Sequence, residues 1–280
     1  MIRNRDIGVS FMLLAPAFAL LVALLFWPLA ELAARSFTGP AGPFAYYERL
    51  ITVPSYLQIL LRTLMFSAGT AVLCLILGYP VAYALANASP AVRALILIAV
   101  ILPFWTNLLV RSYGWIVFLS PRGILNDLLI WLGIIRQPLD LIYNIQGVLI
   151  GMTQIMLPYM ILPLYAVMTR LDRRIPDAAR SLGAGPITLF FKVYVPLTLP
   201  GAMAGLLLVF TISLGFFVIP ALLGGAKGLM IAQLIEFNIN GSLNWGMASA
   251  LSVTLLGTTL AILWIGDRWF NLGAIWGIER

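Results

Sequence analysis

The 280-residue chain contains no histidine, a single cysteine and few charges: 10% of its residues are Asp, Glu, Lys or Arg. Each scarcity excludes a class of chemistry. Without histidine there is no Ser–His–Asp triad, no imidazole metal site and no side chain that titrates near neutrality in its ordinary state. One cysteine, Cys74, forms neither an intrachain disulfide nor a thiolate cluster, and its apolar surroundings suit a small packing residue. A soluble domain carries about 25% charged residues. The abundant residues are instead hydrophobic, at 62%, and mean hydropathy is +1.01. That balance excludes both a soluble globular domain and intrinsic disorder, and it points to an integral membrane protein.

The net charge of +7 raises the question of a nucleic-acid partner. The 17 basic residues are scattered and form no long run, so the excess reads as membrane topology and no nucleic-acid partner is expected.

A spanning helix needs about 20 mostly apolar residues. Six stretches qualify, at about residues 7–30, 63–86, 94–119, 141–169, 197–223 and 247–266. The first follows a basic start, Met1-Ile2-Arg3-Asn4-Arg5, as a signal peptide would. Its apolar run of about 24 residues exceeds the 7–15 of a signal core, which favours an uncleaved anchor.

With the N-terminus in the cytoplasm, ten basic residues fall inside: Arg3, Arg5, Arg93, Arg170, Arg173, Arg174, Arg180, Lys192, Arg268 and Arg280. Seven fall outside: Arg35, Arg49, Arg62, Arg111, Arg122, Arg136 and Lys227. The inside segments are also shorter in total. The bias places both termini in the cytoplasm.

The longest segment on that inner side, residues 170–196, is the most structured of the connections. Pro176 suits the first turn of a helix, where its missing N–H costs nothing, and Asp177 suits the positive end of the helix dipole. Gly183, Gly185 and Pro186 stop that helix and turn the chain. A second short helix is expected from Pro186 to near Pro196, with Ile187, Phe190, Phe191 and Tyr194 spaced as one apolar stripe. Taken by spacing, the loop is either an interfacial segment under the lipid headgroups or a docking element with an apolar face and a basic rim.

Asp177-Ala178-Ala179, Gly183 four residues later, and Val193-Tyr194-Val195-Pro196 after nine more resemble the EAA loop of ATP-binding-cassette (ABC) importer permeases. That family's pattern is Glu-Ala-Ala, then Gly, then Ile-x-Leu-Pro at these spacings. The chain departs by Asp for Glu, Val for Ile and Val for Leu. The shorter acid alters the contact geometry at Asp177.

Three further stretches carry the resemblance along residues 60–265. They are Leu102-Pro103-Phe104-Trp105-Thr106-Asn107 leading to Arg111-Ser112-Tyr113-Gly114-Trp115; Gly123-Ile124-Leu125-Asn126 with Trp131-Leu132-Gly133; and Leu222-Leu223-Gly224-Gly225-Ala226-Lys227 with Asn244-Trp245-Gly246-Met247-Ala248. Together they are similar to the first permease subunit of spermidine/putrescine importers.

The resemblance implies an all-α polytopic fold of the type I ABC-importer permease kind, a single permease domain over residues 1–280 with six transmembrane helices and a coupling helix between spans 4 and 5. It implies a bacterial inner-membrane location among lipids and a second permease subunit completing the pathway. Two cytoplasmic ATPase subunits and a periplasmic substrate-binding protein would complete the complex. It implies no cofactor in this chain, with ATP and Mg bound by the ATPase subunits, and no catalysis of its own. The absence of a G-x-x-x-x-G-K-[S/T] loop agrees with that. Asp177, Ala178, Ala179, Arg180, Gly183 and Pro196 would couple to the ATPase.

Candidate pathway residues are Trp105, Asn107, Arg111, Tyr113, Gln154, Tyr159 and Phe216. They offer carbonyls, amides and aromatic faces that hold a dication weakly, since no Asp or Glu lies mid-span. Several have plainer readings. Pro103, Pro158 and Pro163 make kinks tolerated by neighbouring helices, and kinked helices also tend to line pathways. Arg111 either snorkels to the outer interface or faces the cavity or an acid partner. Trp105, Trp115 and Trp245 suit interfacial belts. Gly224 to Gly228 is most simply a flexible turn, and by position it could instead touch the binding protein or insert near the outer mouth.

Other classes remain to be weighed. The same importer role for another small organic nutrient, an amino-acid derivative or an opine-like compound, shares much of the pattern. A secondary transporter needs mid-span ionisable residues and commonly more spans. A membrane-embedded enzyme needs a clustered nucleophile, base or metal set, which a chain without histidine hardly supplies.

Overall fold

A computed structural model describes residues 4–172, 174–225 and 228–270. Arg3, Arg173, Ala226, Lys227 and Arg280, and with them both extreme termini, lie outside the described residues.

Every regular element among the described residues is helical. In order these are α1 (Asn4–Ser36), α2 (Ala45–Thr52), α3 (Pro54–Asn87), α4 (Pro90–Ile101), a 3-10 turn (Leu102–Trp105), α5 (Leu108–Leu119), α6 (Ile124–Trp131), α7 (Ile145–Met168), α8 (Arg174–Ser181) and α9 (Pro186–Leu189). A π-helical turn (Phe190–Tyr194) leads into α10 (Val195–Leu214). Then come α11 (Val218–Leu223), α12 (Ile231–Glu236), a second π turn (Phe237–Gly241) and α13 (Trp245–Phe270). In the absence of water, backbone groups are satisfied within helices, which is why a chain this apolar folds this way.

Five helical stretches are long and apolar enough to cross a bilayer: Leu14–Ser36, Pro54–Asn87, Ile145–Met168, Pro186–Leu214 and Trp245–Gly266. They correspond to five of the six expected spans. The sixth, residues 94–119, is not one straight helix. Pro90–Trp105 and Leu108–Trp131 meet at 104° across a short break, and the pair counts as a further span only if both limbs cross together. The twelve residues of α5 are about 18 Å long, less than the roughly 30 Å hydrocarbon core.

The described residues group into two compact units, one within residues 4–57 and 234–257, the other within 58–233 and 258–270. In the first, the Tyr47 hydroxyl donates to Ser36 Oγ at 2.7 Å, and Phe37 packs on both Phe44 and Tyr47. Arg35 bonds Glu31 at 2.6 Å and lies 6.0 Å from the Trp245 ring centre.

The second unit holds a core centred on α7. Met152, Met156, Met160, Leu164 and Met168, four residues apart, form its most buried stripe. Flexible thioethers fill irregular space between the helices, and α7 itself carries Pro158 and Pro163. Glycines let neighbours approach closely: a Cβ on Gly205 would lie 2.6 Å from Met160 Sδ, and one on Gly201 2.9 Å from Val167.

Candidate functional site: a terminated surface helix and a broken span

Two regions bring the expected functional residues together. The first is the connection between α7 and α10. α8 runs Arg174–Ser181, starting two residues before Pro176, which is buried. It ends in a left-handed glycine: Gly183 has φ +84°, its N–H donates to the Arg180 carbonyl, and Ala184 N–H donates to the Ala179 carbonyl. This paired 5→2 and 6→1 arrangement is a Schellman cap, and it needs the αL conformation that glycine adopts without strain. On the exposed face of α8, Arg180 Nη1 donates to Asp177 Oδ1 at 2.7 Å. Ala178 is exposed and Ala179 half-buried, so a partner surface can approach the backbone closely.

Beyond Gly185 the expected short second helix does not end near Pro196. α9, the π turn and α10 run as one helical body from Pro186 to Leu214. Pro196 instead lies inside this body, as the second residue of α10 directly after the π turn. The expected apolar stripe also divides. In the π turn Val195 N–H donates to the Phe190 carbonyl, five residues back, and the winding departs from 3.6 residues per turn. Ile187 and Phe191 are left 75% and 64% exposed, whereas Tyr194 is buried and Phe190 packs edge-on to Tyr79 and Tyr83 of α3.

The second region is the break between α4 and α5. Thr106 is extended, and Asn107 Oδ1 accepts from Leu109 N–H at 2.8 Å and Val110 N–H at 3.4 Å, capping α5. Arg111, one turn into α5, reaches back and donates from Nη1 to the Pro103 carbonyl at 2.9 Å. Its partner is a backbone carbonyl, which also accepts from the Thr106 hydroxyl at 2.7 Å, rather than an acid, and its Nε is buried without a partner. Trp105 is 87% exposed, and Tyr113 is exposed further along α5.

Two α7 residues join this region. Tyr159 stacks on Phe104 at 5.1 Å, and Gln154 accepts from Trp115 Nε1 at 3.3 Å. Phe216 packs against the core. Asn107 and Arg111 therefore shape the break itself, Gln154 and Tyr159 meet its neighbours Trp115 and Phe104, and Trp105 and Tyr113 are exposed beside them in sequence.

Gly224 and Gly228, on either side of the two residues outside the description, lie against Val148 of α7. A Cβ on Gly224 would lie 3.0 Å from Val148, Gly225 has φ +53°, and Met230 and Ile231 are buried. Thr63 Oγ1 accepts from Ile231 N–H at 2.9 Å. Nothing in the sequence announces that contact, whose partners are 168 residues apart. Asn126 is likewise fully buried: it donates to the Ser120 and Leu139 carbonyls and accepts from Leu139 N–H, closing the loop that carries α6.

Residues 6–269 match the protein family described as "Binding-protein-dependent transport system inner membrane component". The spermidine/putrescine transport system permease protein PotB of Escherichia coli (strain K12) is 40% identical over 228 residues, covering 80% of this chain and 82% of that protein. PotB of Haemophilus influenzae is 44% identical over 202 residues, covering 72% and 71%. Among solved structures, a chain of a bacterial alginate ABC transporter in complex with an alginate pentasaccharide-bound periplasmic protein superposes with a TM-score of 0.74 at 18% identity, covering 95% of this chain and 94% of that one. The likeness at that identity is one of fold.

Proposed function

This chain belongs to the family of binding-protein-dependent transport system inner membrane components, and from that premise we propose that it forms half of the membrane pathway of an ABC importer for polyamines such as putrescine and spermidine. A second, similar permease forms the other half. A periplasmic binding protein delivers the cargo, and two ATPase subunits, which bind ATP and Mg, dock below. Both termini and the α8–α9 connection face the cytoplasm. Hydrolysis takes place in the ATPase subunits, and this chain converts their closure into movement of its helices.

The observation that carries the coupling role is mechanical. A short helix with an exposed polar pair and a glycine-locked end leads into a helical body running from Pro186 to Leu214. A force applied at α8–α9 enters the bundle along a rigid element, as rigid-body transitions require. The polyamine reading rests on the identities to PotB. The aromatic and carbonyl-rich surroundings of the α4–α5 break suit weak, transient contact with an organic cation.

The test is ATPase stimulation of the reconstituted complex by binding protein loaded with putrescine or spermidine, against unloaded binding protein. Stimulation by a polyamine supports importer and substrate together. Stimulation only by another small organic nutrient keeps the importer and discards the polyamine. The absence of Asp and Glu from mid-span positions favours keeping that second reading in the test.

A further inference from the structure

The π turn faces two ways. Outward it exposes Phe191, with Ile187 and Leu182 nearby on the chain at 75% and 89% exposure. Inward it holds Phe190 and Tyr194 against α3. Phe190 stands at 78° to both Tyr79 and Tyr83, with ring centres 5.4 and 6.1 Å apart, and Tyr83 stands at 77° to Tyr194 at 5.1 Å. A hydrogen-bond chain runs beside the rings. Thr198, fully buried, donates its hydroxyl proton to the Tyr194 carbonyl at 2.8 Å, which leaves the Tyr79 hydroxyl to donate to Thr198 Oγ1 at 2.8 Å.

We propose that Tyr79 and Phe190 are transmission residues, which deliver the displacement of the α8–α9 connection to α3 as well as to α10. This rests on the reading that α8–α9 docks an ATPase subunit. Tyr79 and Tyr83 lie four residues apart, on one face of α3, and Phe190 sits against both. Tyr79, Tyr83 and Phe190 are half-buried and Tyr194 is buried, and rings held edge-to-face pass a push along the line of their centres. The Tyr79–Thr198 bond ties the two elements directly, because without Thr198 the half-buried Tyr79 hydroxyl loses this partner. α3 and the Pro186–Leu214 body therefore move as one piece, although 119 residues of sequence separate the bonded pair.

The experiment uses the whole reconstituted importer with Tyr79→Phe, Thr198→Val, the double variant and Phe190→Leu. Two quantities are read: putrescine molecules moved per ATP hydrolysed, and the ATP-driven change in distance between spin labels at Met65 on α3 and Leu208 on α10 in a Cys74→Ala background. The second needs no knowledge of the substrate.

The expected result is a roughly threefold to tenfold lower transport per ATP in Tyr79→Phe and in Thr198→Val, the equivalent of one hydrogen bond, and a fall in the same direction in Phe190→Leu, which loses the ring contacts. The double variant should be no worse than either single one, as interacting partners require. The spin-label distance should stay fixed through the ATP cycle in the parent and change in the variants. An unchanged ratio with an unchanged label distance overturns the proposal. So does a parallel fall of uptake and ATPase activity, which is what mere loss of folded complex produces. If Asp177→Arg with Gly183→Trp leaves assembly and ATP-driven uptake intact, the docking reading itself fails and this one with it. If that pair abolishes uptake while the Tyr79 and Phe190 variants do nothing, only the present proposal falls.

Discussion

Asp177 and Arg180 are joined by a 2.7 Å hydrogen-bonded ion pair three residues apart on α8, with side chains 67% and 55% exposed. An exposed pair of this kind contributes only about 0.3–0.5 kcal/mol to folding. Its exposure makes it more useful to a partner than to the chain itself. Asp177→Arg should therefore leave the thermal unfolding midpoint of the detergent-solubilised chain nearly unchanged while reducing ATPase subunits retained on co-purification at least tenfold. Retention at parental levels would remove the pair from the docking surface.

Gly183 holds φ +84° at the end of the same helix. An L-residue in αL costs roughly 1–2 kcal/mol. Nothing lies within 4 Å of its missing Cβ, so Gly183→Ala tests conformation without a clash. The expected outcome is weaker ATPase-subunit binding by about five- to thirtyfold, with Gly183→Asn, which tolerates αL better, recovering part of it. A binding titration on the complex in nanodiscs measures both.

Arg111 ties α5 to the Pro103 carbonyl across the α4–α5 break. Arg111→Met keeps most of the side-chain volume and removes the tie. A hydrogen bond from a charged donor is worth about 1.5–3 kcal/mol. The variant should lower substrate transport more than tenfold while ATPase subunits still assemble. Parental transport would make Arg111 an interfacial anchor rather than a clamp.

Thr63 Oγ1 receives the buried N–H of Ile231. Thr63→Val is nearly isosteric and leaves that N–H unpaired, a loss of about 1–3 kcal/mol. Thr63→Ser keeps the oxygen and should recover most of it. Thermal unfolding of the two variants side by side separates the hydrogen bond from the packing of the methyl group.

Several of these features were legible in the residues. Gly183 and the Asp177-Ala178-Ala179 run indicate a terminated helix because capping depends on a handful of consecutive residues. The α4–α5 break was half-legible. Pro103 and Asn107 are a helix-interrupting residue and a good N-cap, yet a hydropathy reading of residues 94–119 sums across them and sees one span. The stripe Ile187, Phe190, Phe191 and Tyr194 was misplaced because it assumed 3.6 residues per turn, and the π turn gives a different rotation. Thr63–Ile231 and Tyr79–Thr198 left no local trace.

The residues alone determined a multi-helix membrane chain of the importer-permease type, along with the glycine at which α8 stops. Transfer of apolar segments out of water and the steric limits of single residues act over short stretches of chain, so sequence reports them. Only the tertiary structure decided that the fifth apolar span begins at Pro186, that α5 turns away from α4 at 104°, and that Phe190 faces Tyr79 rather than a partner. Those outcomes depend on the shape of surfaces contributed by residues far apart in the chain, where close packing selects one arrangement among many that the same hydropathy would allow.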